Sequence, residues 1–360
     1  MHNKKFTKIF LYLSLPIILF IPVLNLIILG DKLNKKNIYS VDVIESQINY
    51  LMYKKFSYSL IPKKVIIGKE DFLFLGNSFN NIINKSTGSY RPSFDEINNW
   101  TNKLKDLQKW YENRGIKFII AIAPNKHSIY NEKLPNGLQY NGLTLTDDIV
   151  KSSQLKNINM IDLRPILKEG KGGEVLYWRT DTHWNEKGAS IAYSNIIDYL
   201  NFTFKMNILK PEYSLIEGNR GSGDLANFLK INTILASDIE KNYAYKFKNV
   251  FDICKGNINK ESGVLEECKD IENPVIGINE QPQYTINKTI KDNKLLLLCD
   301  SFGTAPSQLY NSSFNTIWKW HYGHIGGKKL SDFIEKNKPN VVIYQIIERE
   351  LYNDKIVAPF

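Results

Sequence analysis

The chain has 360 residues, 43% of them hydrophobic and 23% charged, which excludes a disordered polymer and leaves room for one large domain or two modest ones. Its formal net charge of +10 suits an acidic partner: nucleic acid, anionic lipid or an anionic polysaccharide. The lysines are scattered among asparagines and isoleucines, and no zinc-finger, RRM or basic-zipper pattern occurs, so nucleic acid is set aside.

After "MHNKKFTK" the run from Ile9 to Gly30 carries no charge. It matches the roughly 20 residues that a membrane-spanning helix needs. A cleaved signal peptide would have a shorter apolar region and a small-x-small cleavage site, and neither is evident. Pro16, Pro22 and Asn25 are tolerable inside such a helix. Lys4, Lys5 and Lys8 precede the span, while Lys32, Lys35 and Lys36 follow it beside Asp31, a small bias toward a cytoplasmic N-terminus. We therefore read residues 1–8 as cytoplasmic, 9–30 as a transmembrane signal anchor, and the rest as extracytoplasmic. Residues 31–64 read as a polar, partly helical stalk, and residues 65–360 as the functional domain.

Within that domain "VIIGKEDFLFLGNS" (65–78) holds two short apolar runs around a turn, the pattern of two strands. "SFDEINNWTNKLKDLQKWYENRG" predicts a helix, with Ser93 and Glu96 at capping-box spacing and Gly115 past its end. Ile97, Trp100, Leu104, Leu107, Trp110 and Tyr111 recur at helical spacing and read as core. "KFIIAIAP" (117–124) is a continuous apolar run, as expected of a buried parallel strand. A strand at "NMIDL" (159–163) and a helix from about Glu186 to Leu200 repeat the alternation. Residues 201–290 are rich in Gly, Asn and Lys and read as loops and short strands inserted in the domain. The alternation resumes with "KLLLLCDSFG", a short helix, "FNTIWKW", a helix near 328–336 and "NVVIYQII" (340–347). Alternating strands and helices predict an α/β fold, an open parallel sheet with helices on both faces.

Cys254 and Cys268 flank a polar segment and can pair in an oxidising compartment, while Cys299 ends an apolar run and is expected to be buried. No C-x-x-C occurs, so a structural zinc site or a thioredoxin-like motif is not indicated.

Two short motifs carry chemistry. Ser301 lies two residues beyond the strand "KLLLLC", where open α/β sheets bind their ligands and where a helix start can hold an oxyanion. Taken alone, Asp300 or Ser301 is more simply a helix cap. Asp181-x-His183 changes the balance. A serine hydroxyl needs a base to become nucleophilic, and that base works best when a carboxylate fixes its tautomer. An acid and a histidine two residues apart in an extended turn can point the same way. The bland readings are a capping aspartate and a surface histidine. A metal reading needs a further ligand, for which His321 and His324 of "HYGH" are the local candidates. Without a carboxylate cluster or the usual spacings no metal is expected.

"DTHWNEKGA", followed about 120 residues later by strand-"CDSF", resembles the alginate O-acetyltransferase (AlgX/AlgJ-like) family of SGNH-hydrolase-like proteins. "GKEDFLFL", "YRPSFDEINNW", "NRGIKFIIAIAPNKHSIY", "GDLANFL" and "KPNVVIYQIIEREL" fit the same pattern, so that the resemblance covers roughly residues 65–352. It implies an SGNH-like sheet in circularly permuted motif order, with the acid–base element ahead of the serine and written Asp-x-His. It also implies Ser301 as nucleophile, His183 as base and Asp181 as orienting acid. Cys299 departs from the family, which usually has the glycine of Gly-Asp-Ser there; this puts the backbone packing of the turn in question.

The resemblance implies transfer of acetyl groups, through an acetyl ester of Ser301, to hydroxyls of an exported or cell-surface polysaccharide. The implied partners are that acceptor, which the charge allows to be acidic, and a membrane-bound O-acyltransferase that supplies acetyl equivalents; no cofactor is implied. The implied setting is the cytoplasmic (inner) membrane, single-pass, with the catalytic domain periplasmic. Two alternatives stay open: a carbohydrate acetyl esterase using the same three residues, and a non-catalytic glycan-binding subunit of an export complex. The loop "GNRGSGDLANF" is a further candidate for lining the site, because its glycines permit close backbone approach.

Overall fold

The computed structural model describes residues 2–173, 175–277 and 281–357. Its first six strands are β1 (Val65–Ile67), β2 (Leu73–Leu75), β3 (Lys117–Ala123), β4 (Met160–Asp162), β5 (Tyr213–Arg220) and β6 (Glu240–Phe247). The other six are β7 (Ile253–Asn257), β8 (Lys269–Asp270), β9 (Gln283–Asn287), β10 (Lys294–Cys299), β11 (Thr316–His321) and β12 (Val341–Ile347). Eight of them form one sheet in the order β4-β3-β12-β10-β11-β9-β7-β8. The five from β4 to β11 run parallel, and β9, β7 and β8 extend the sheet antiparallel.

Alternation along the parallel strands builds two cores. Leu295, Leu297 and Cys299 of β10 join one core, and Leu296 and Leu298 join the other. β12 divides the same way, with Val341 and Ile343 on the first face and Val342, Tyr344 and Ile346 on the second. Helix Glu186–Phe204 covers the first face with Ala189, Ala192, Tyr193 and Ile196. Helices Phe94–Glu112 and Gly327–Asn337 cover the second with Leu104, Leu107, Leu330 and Phe333. Burial on both faces is why these strands read as unbroken apolar runs.

The helix Phe94–Glu112 has the expected capping box, since Ser93 Oγ accepts from Glu96 N and Glu96 Oε2 accepts from Ser93 N at 2.8 Å. Trp110 packs at the edge of the expected core stripe. It is half-buried, with the Arg114 guanidinium 3.7 Å from its ring centre.

Two expectations need correction. Residues 201–290 are not simply an insertion: β5 and β6 form a separate hairpin, but β7, β8 and β9 belong to the main sheet. Their pattern escapes reading because β9 buries polar side chains, such as Asn287, whose amide donates to Asn311 O at 2.9 Å. The sheet is therefore mixed rather than wholly parallel. The segment read as a stalk is docked on the domain. Its helix Val41–Leu51 continues through a wider turn, Met52–Phe56, and Asn49 donates to Leu229 O at 2.8 Å. Tyr53 packs with Val65, Leu73, Leu225 and Leu229 in a third, smaller core.

Ahead of this segment runs the helix His2–Leu29. Its stretch Ser14–Lys32 has a mean hydropathy of 2.1 and is 12% buried. Among the described residues it is the one helix long and apolar enough to cross a membrane. Cys254 and Cys268 are joined in a disulfide with Cα atoms 5.4 Å apart, and Cys299 is a free, buried thiol.

Candidate active site

Ser301 is presented by the turn that ends β10. Asp300 takes the capping role there, its Oδ1 accepting from Phe302 N at 2.9 Å. Its other oxygen accepts from Ile347 N at 2.7 Å and so ties the end of β10 to the end of β12. Burial raises the Asp300 carboxyl above its ordinary range. Because Asp300 satisfies the turn, the exposed hydroxyl of Ser301 is left for other work.

Cys299 fits this turn because of Gly303. A Cβ at position 303 would lie 2.4 Å from Cys299 Sγ, so the glycine vacates the space that the thiol fills. Burial pushes that thiol up to about 12. Beneath the turn, Lys319 of β11 is buried and donates to Gly303 O at 2.7 Å and to Ile276 O. Burial brings its ammonium down to about 8.

Asp181 and His183 sit in a tight loop closed by a bridge between Tyr177 and Trp184, with Trp178 N donating to His183 O at 3.3 Å. Asn185 then caps the helix Glu186–Phe204, accepting from Lys187 N and Gly188 N at 3.0 Å each. A second buried lysine holds this loop from below. Lys126 Nζ donates to the carbonyls of Trp178 at 3.0 Å and Arg179 at 3.1 Å, and to that of Asp181. Burial lowers its ammonium to about 8.

The loop "GNRGSGDLANF" closes over Asp181 from the other side. Gly223 comes so near that a Cβ there would lie 2.3 Å from Asp181 Cβ and Oδ2. Its amide donates to Thr180 Oγ1 at 2.8 Å, and Asp224 Oδ1 accepts from Thr182 N at 2.7 Å. Arg220, at the end of β5, donates to Asp181 Oδ2 at 3.1 Å while its guanidinium lies 4.1 Å from the Trp178 ring centre.

The two turns, 118 residues apart in sequence, meet through one imidazole. His183 Nδ1 is 2.7 Å from Asp181 Oδ1, and His183 Nε2 is 2.7 Å from Ser301 Oγ. Trp184 Nε1 donates to Phe302 O at 3.0 Å, and the Phe302 ring lies 5.0 Å from that of His183, locking the halves together. Burial alone would raise the Asp181 carboxyl, but its bonds to His183 and the Arg220 charge outweigh that and hold it well below the usual range. Asp224 moves the opposite way, raised by burial and by the Asp181 charge. A cleft of about 260 Å³ opens at Ser301 and His183, walled by Trp178, Trp184, Val275 and Ala305.

The sequence-predicted residues Ser301, His183 and Asp181 are thus brought together. His321 and His324 are not part of this array; their rings lie 4.6 Å apart, tilted to each other, at the end of β11 and in the turn that follows it. Among the described residues, the group able to offer three ligand atoms within 4.8 Å of one another is Asp181, His183 and Asp224. There the Asp181–His183 hydrogen bond already engages the imidazole Nδ1. Arg220, Asp224 and the two buried lysines were not singled out by sequence reasoning. The glycines around Gly223 were the one available signal; nothing marks Lys126 or Lys319 among 47 Lys and Arg residues.

An acid, an imidazole and a hydroxyl in line at the carboxyl ends of parallel strands are equipped for acyl transfer. Residues 65–249 match the SGNH hydrolase-like domain of acetyltransferase AlgX. The chain belongs to this family. The matched stretch contains Asp181 and His183, and Ser301 lies beyond it. A probable alginate O-acetylase, AlgJ of Pseudomonas aeruginosa, is 25% identical over 177 residues, which are 47% of this chain and 42% of that protein. The chain thus spans less than half the length of that relative. The fold is shared with Bacillus cereus PatB1, at a TM-score of 0.60 and 17% identity over 81% of this chain and 98% of that one. It is also shared with a DHHW family protein from Eubacterium siraeum, at a TM-score of 0.56 and 17% identity over 73% and 88% of the two chains.

Proposed function

We propose that the chain is an O-acetyltransferase that carries an acetyl group on Ser301 and delivers it to a hydroxyl of an exported or cell-surface polysaccharide. The observation that carries this reading is the line Asp181–His183–Ser301, with 2.7 Å at each joint, in a member of an acetyltransferase family. His183 Nε2 takes the Ser301 proton as Oγ attacks the acetyl carbonyl of the donor, and returns it to the departing group. In the second half His183 takes the proton of a sugar hydroxyl as that oxygen attacks the acetyl-serine. The ester passes to the sugar and the proton returns to Ser301. Asp181 keeps Nδ1 engaged, so Nε2 remains the basic nitrogen.

The acceptor side of the reading is supported by a second hollow, of about 450 Å³, beyond Trp178. Tyr243, Arg179, Glu240 and the ion pair of Lys241 with Glu217 line it, offering an aromatic ring and polar groups of both charges to a sugar chain. The net charge of +10 favours an acidic chain. A membrane-bound O-acyltransferase is the proposed source of acetyl groups, with His2–Leu29 as a single-pass anchor in the cytoplasmic (inner) membrane and the domain on its periplasmic side. We also infer a circular permutation. Counted from β10 and wrapping past the C-terminus, β10, β11, β12, β3 and β4 stand in the order 2-1-3-4-5 of a flavodoxin-like sheet, which would put Ser301 after strand 1 at the switch point.

The test is to supply the protein with an acetyl ester donor, with and without oligosaccharide acceptors. Acetylated sugar supports the transferase, free acetate alone means an esterase, and no turnover means a non-catalytic subunit. Ser301→Ala must abolish a covalent acetyl-enzyme. Ser301→Ala, His183→Ala and the double variant should lose nearly the same several orders of magnitude in turnover, since such residues act as a unit.

A further inference from the structure

The helix Val41–Leu51 carries its polarity the wrong way round for a helix lying on a soluble domain. Beside Tyr50, which packs on the third core, its domain side is polar: Asp42 and Glu45 accept from Lys230 at 2.6 and 2.7 Å, and Asn49 donates to Leu229 O. Its open side is apolar, with Val41, Ile48 and Leu51 exposed by 57, 46 and 50%. At 3.6 residues per turn these three fall in one stripe. Phe56 and Tyr58, exposed by 64 and 55%, follow directly. A contiguous apolar surface of this kind marks a contact with something other than water.

A second feature says what that contact is. Asn25, wholly buried within the helix His2–Leu29, donates to the carbonyls of Asn37, Ile38 and Ser40 at 2.8, 3.0 and 2.9 Å. Asn25 stands four residues before the helix end. At 1.5 Å per residue the chain therefore folds back by about 6 Å along that helix. The helix Val41–Leu51 begins alongside the last turn of the apolar helix instead of beyond it. Exposed Lys35 and Lys36 precede the stripe in sequence, and exposed Lys55, Lys63 and Lys64 follow Leu51; all suit lipid phosphates.

We propose that Val41–Phe56 lies in the headgroup layer of an anionic phospholipid bilayer, its apolar stripe toward the acyl chains. The polar side, bonded to the domain, then holds the candidate active site at a set orientation to the membrane surface. This rests on reading His2–Leu29 as the membrane anchor.

Full-length protein in phosphatidylcholine–phosphatidylglycerol vesicles tests it. Single cysteines replace Ile48, Leu51, Leu19 or Leu155 (I48C, L51C, L19C, L155C), and each carries a polarity-sensitive fluorophore. All four positions are exposed, and Cys299 is buried, so the fold and the labelling background are spared. Shallow-brominated lipid should quench the labels at 48 and 51 at least twofold and leave the label at 155 unchanged, while deep-brominated lipid quenches the label at 19. If the label at 19 is quenched but those at 48 and 51 behave like that at 155, the anchor stands and the proposal is overturned; a protein partner or water then faces the stripe. If the label at 19 is also unquenched, the anchor reading falls and takes the proposal with it.

Discussion

Lys126 offers a sharp test of how the Asp181–His183 loop is held. Its ammonium is buried and donates to three carbonyls of that loop. Burial brings it from 10.5 down to about 8. A tenfold change in proton affinity is worth about 1.4 kcal/mol, so holding this charge inside the fold costs about 3 kcal/mol at neutral pH, net of the Glu240, Asp181 and Asp224 charges that favour it. The sign follows from the direction. Below pH 8 the lysine is protonated in folded and unfolded chains alike, so stability does not vary with pH on its account. Between about 8 and 10.5 the folded chain releases the proton while the unfolded chain keeps it, so stability rises with pH.

In Lys126→Met this contribution disappears. Lys319, lowered by burial in the same way, remains in both proteins and cancels in their difference. The stability of wild type minus that of Lys126→Met should therefore increase by about 2 kcal/mol between pH 7.5 and pH 10. Urea unfolding of both proteins, in the same detergent and without reductant, measures it by tryptophan fluorescence. The variant should also lose acyl transfer, because three loop carbonyls lose their donor. Parallel stability curves across that pH range would refute the buried-ammonium account.

One further prediction concerns the surroundings of the site and another the antiparallel wing of the sheet. Arg220→Met removes the hydrogen bond to Asp181 Oδ2 and should lower turnover roughly tenfold, about 1.4 kcal/mol for a bond to a charged group. Turnover equal to that of the wild type would mean that Arg220 only packs on Trp178. Replacing Cys254 and Cys268 together by Ser should cost about 3 kcal/mol, the loop-closure value for a ring of roughly 15 residues, read as a lower urea midpoint.

Those parts of the fold that bury apolar residues on both sides of a strand were legible in the sequence. β3 and β10 are apolar runs after a first lysine, β12 is apolar but for Gln345, and the capped helix before β3 has its full punctuation. The antiparallel wing was not legible, because β7 and β9 mix Asn, Thr, Lys and Gly whose burial depends on hydrogen bonds from distant residues. The docked stalk was missed for a related reason: beside Tyr50 and Tyr53, which pack on the third core, its helix attaches through Asp42, Glu45 and Asn49, polar groups that a hydrophobic pattern cannot show. At the site the three residues with distinctive chemistry were legible and their supports were not. A lysine that donates to carbonyls looks like any surface lysine until the loops are placed around it.

Cys299 shows why those supports matter. A glycine at this position, as the family resemblance leads one to expect, would set the turn by backbone contact alone. Here Cys299 brings a thiol into the same space, and the conflict is relieved at Gly303, whose missing Cβ leaves room for Sγ. The turn itself is fixed by groups from three other segments. Asp300 binds it to Ile347 N of β12, Lys319 of β11 binds Gly303 O, and Trp184 from the Asp181–His183 loop binds Phe302 O. None of these bonds involves the residue at position 299. A change at the end of β10 can therefore be absorbed without moving Ser301 out of reach of His183, because the bond between Trp184 and Phe302 ties the serine turn directly to the loop that carries the base.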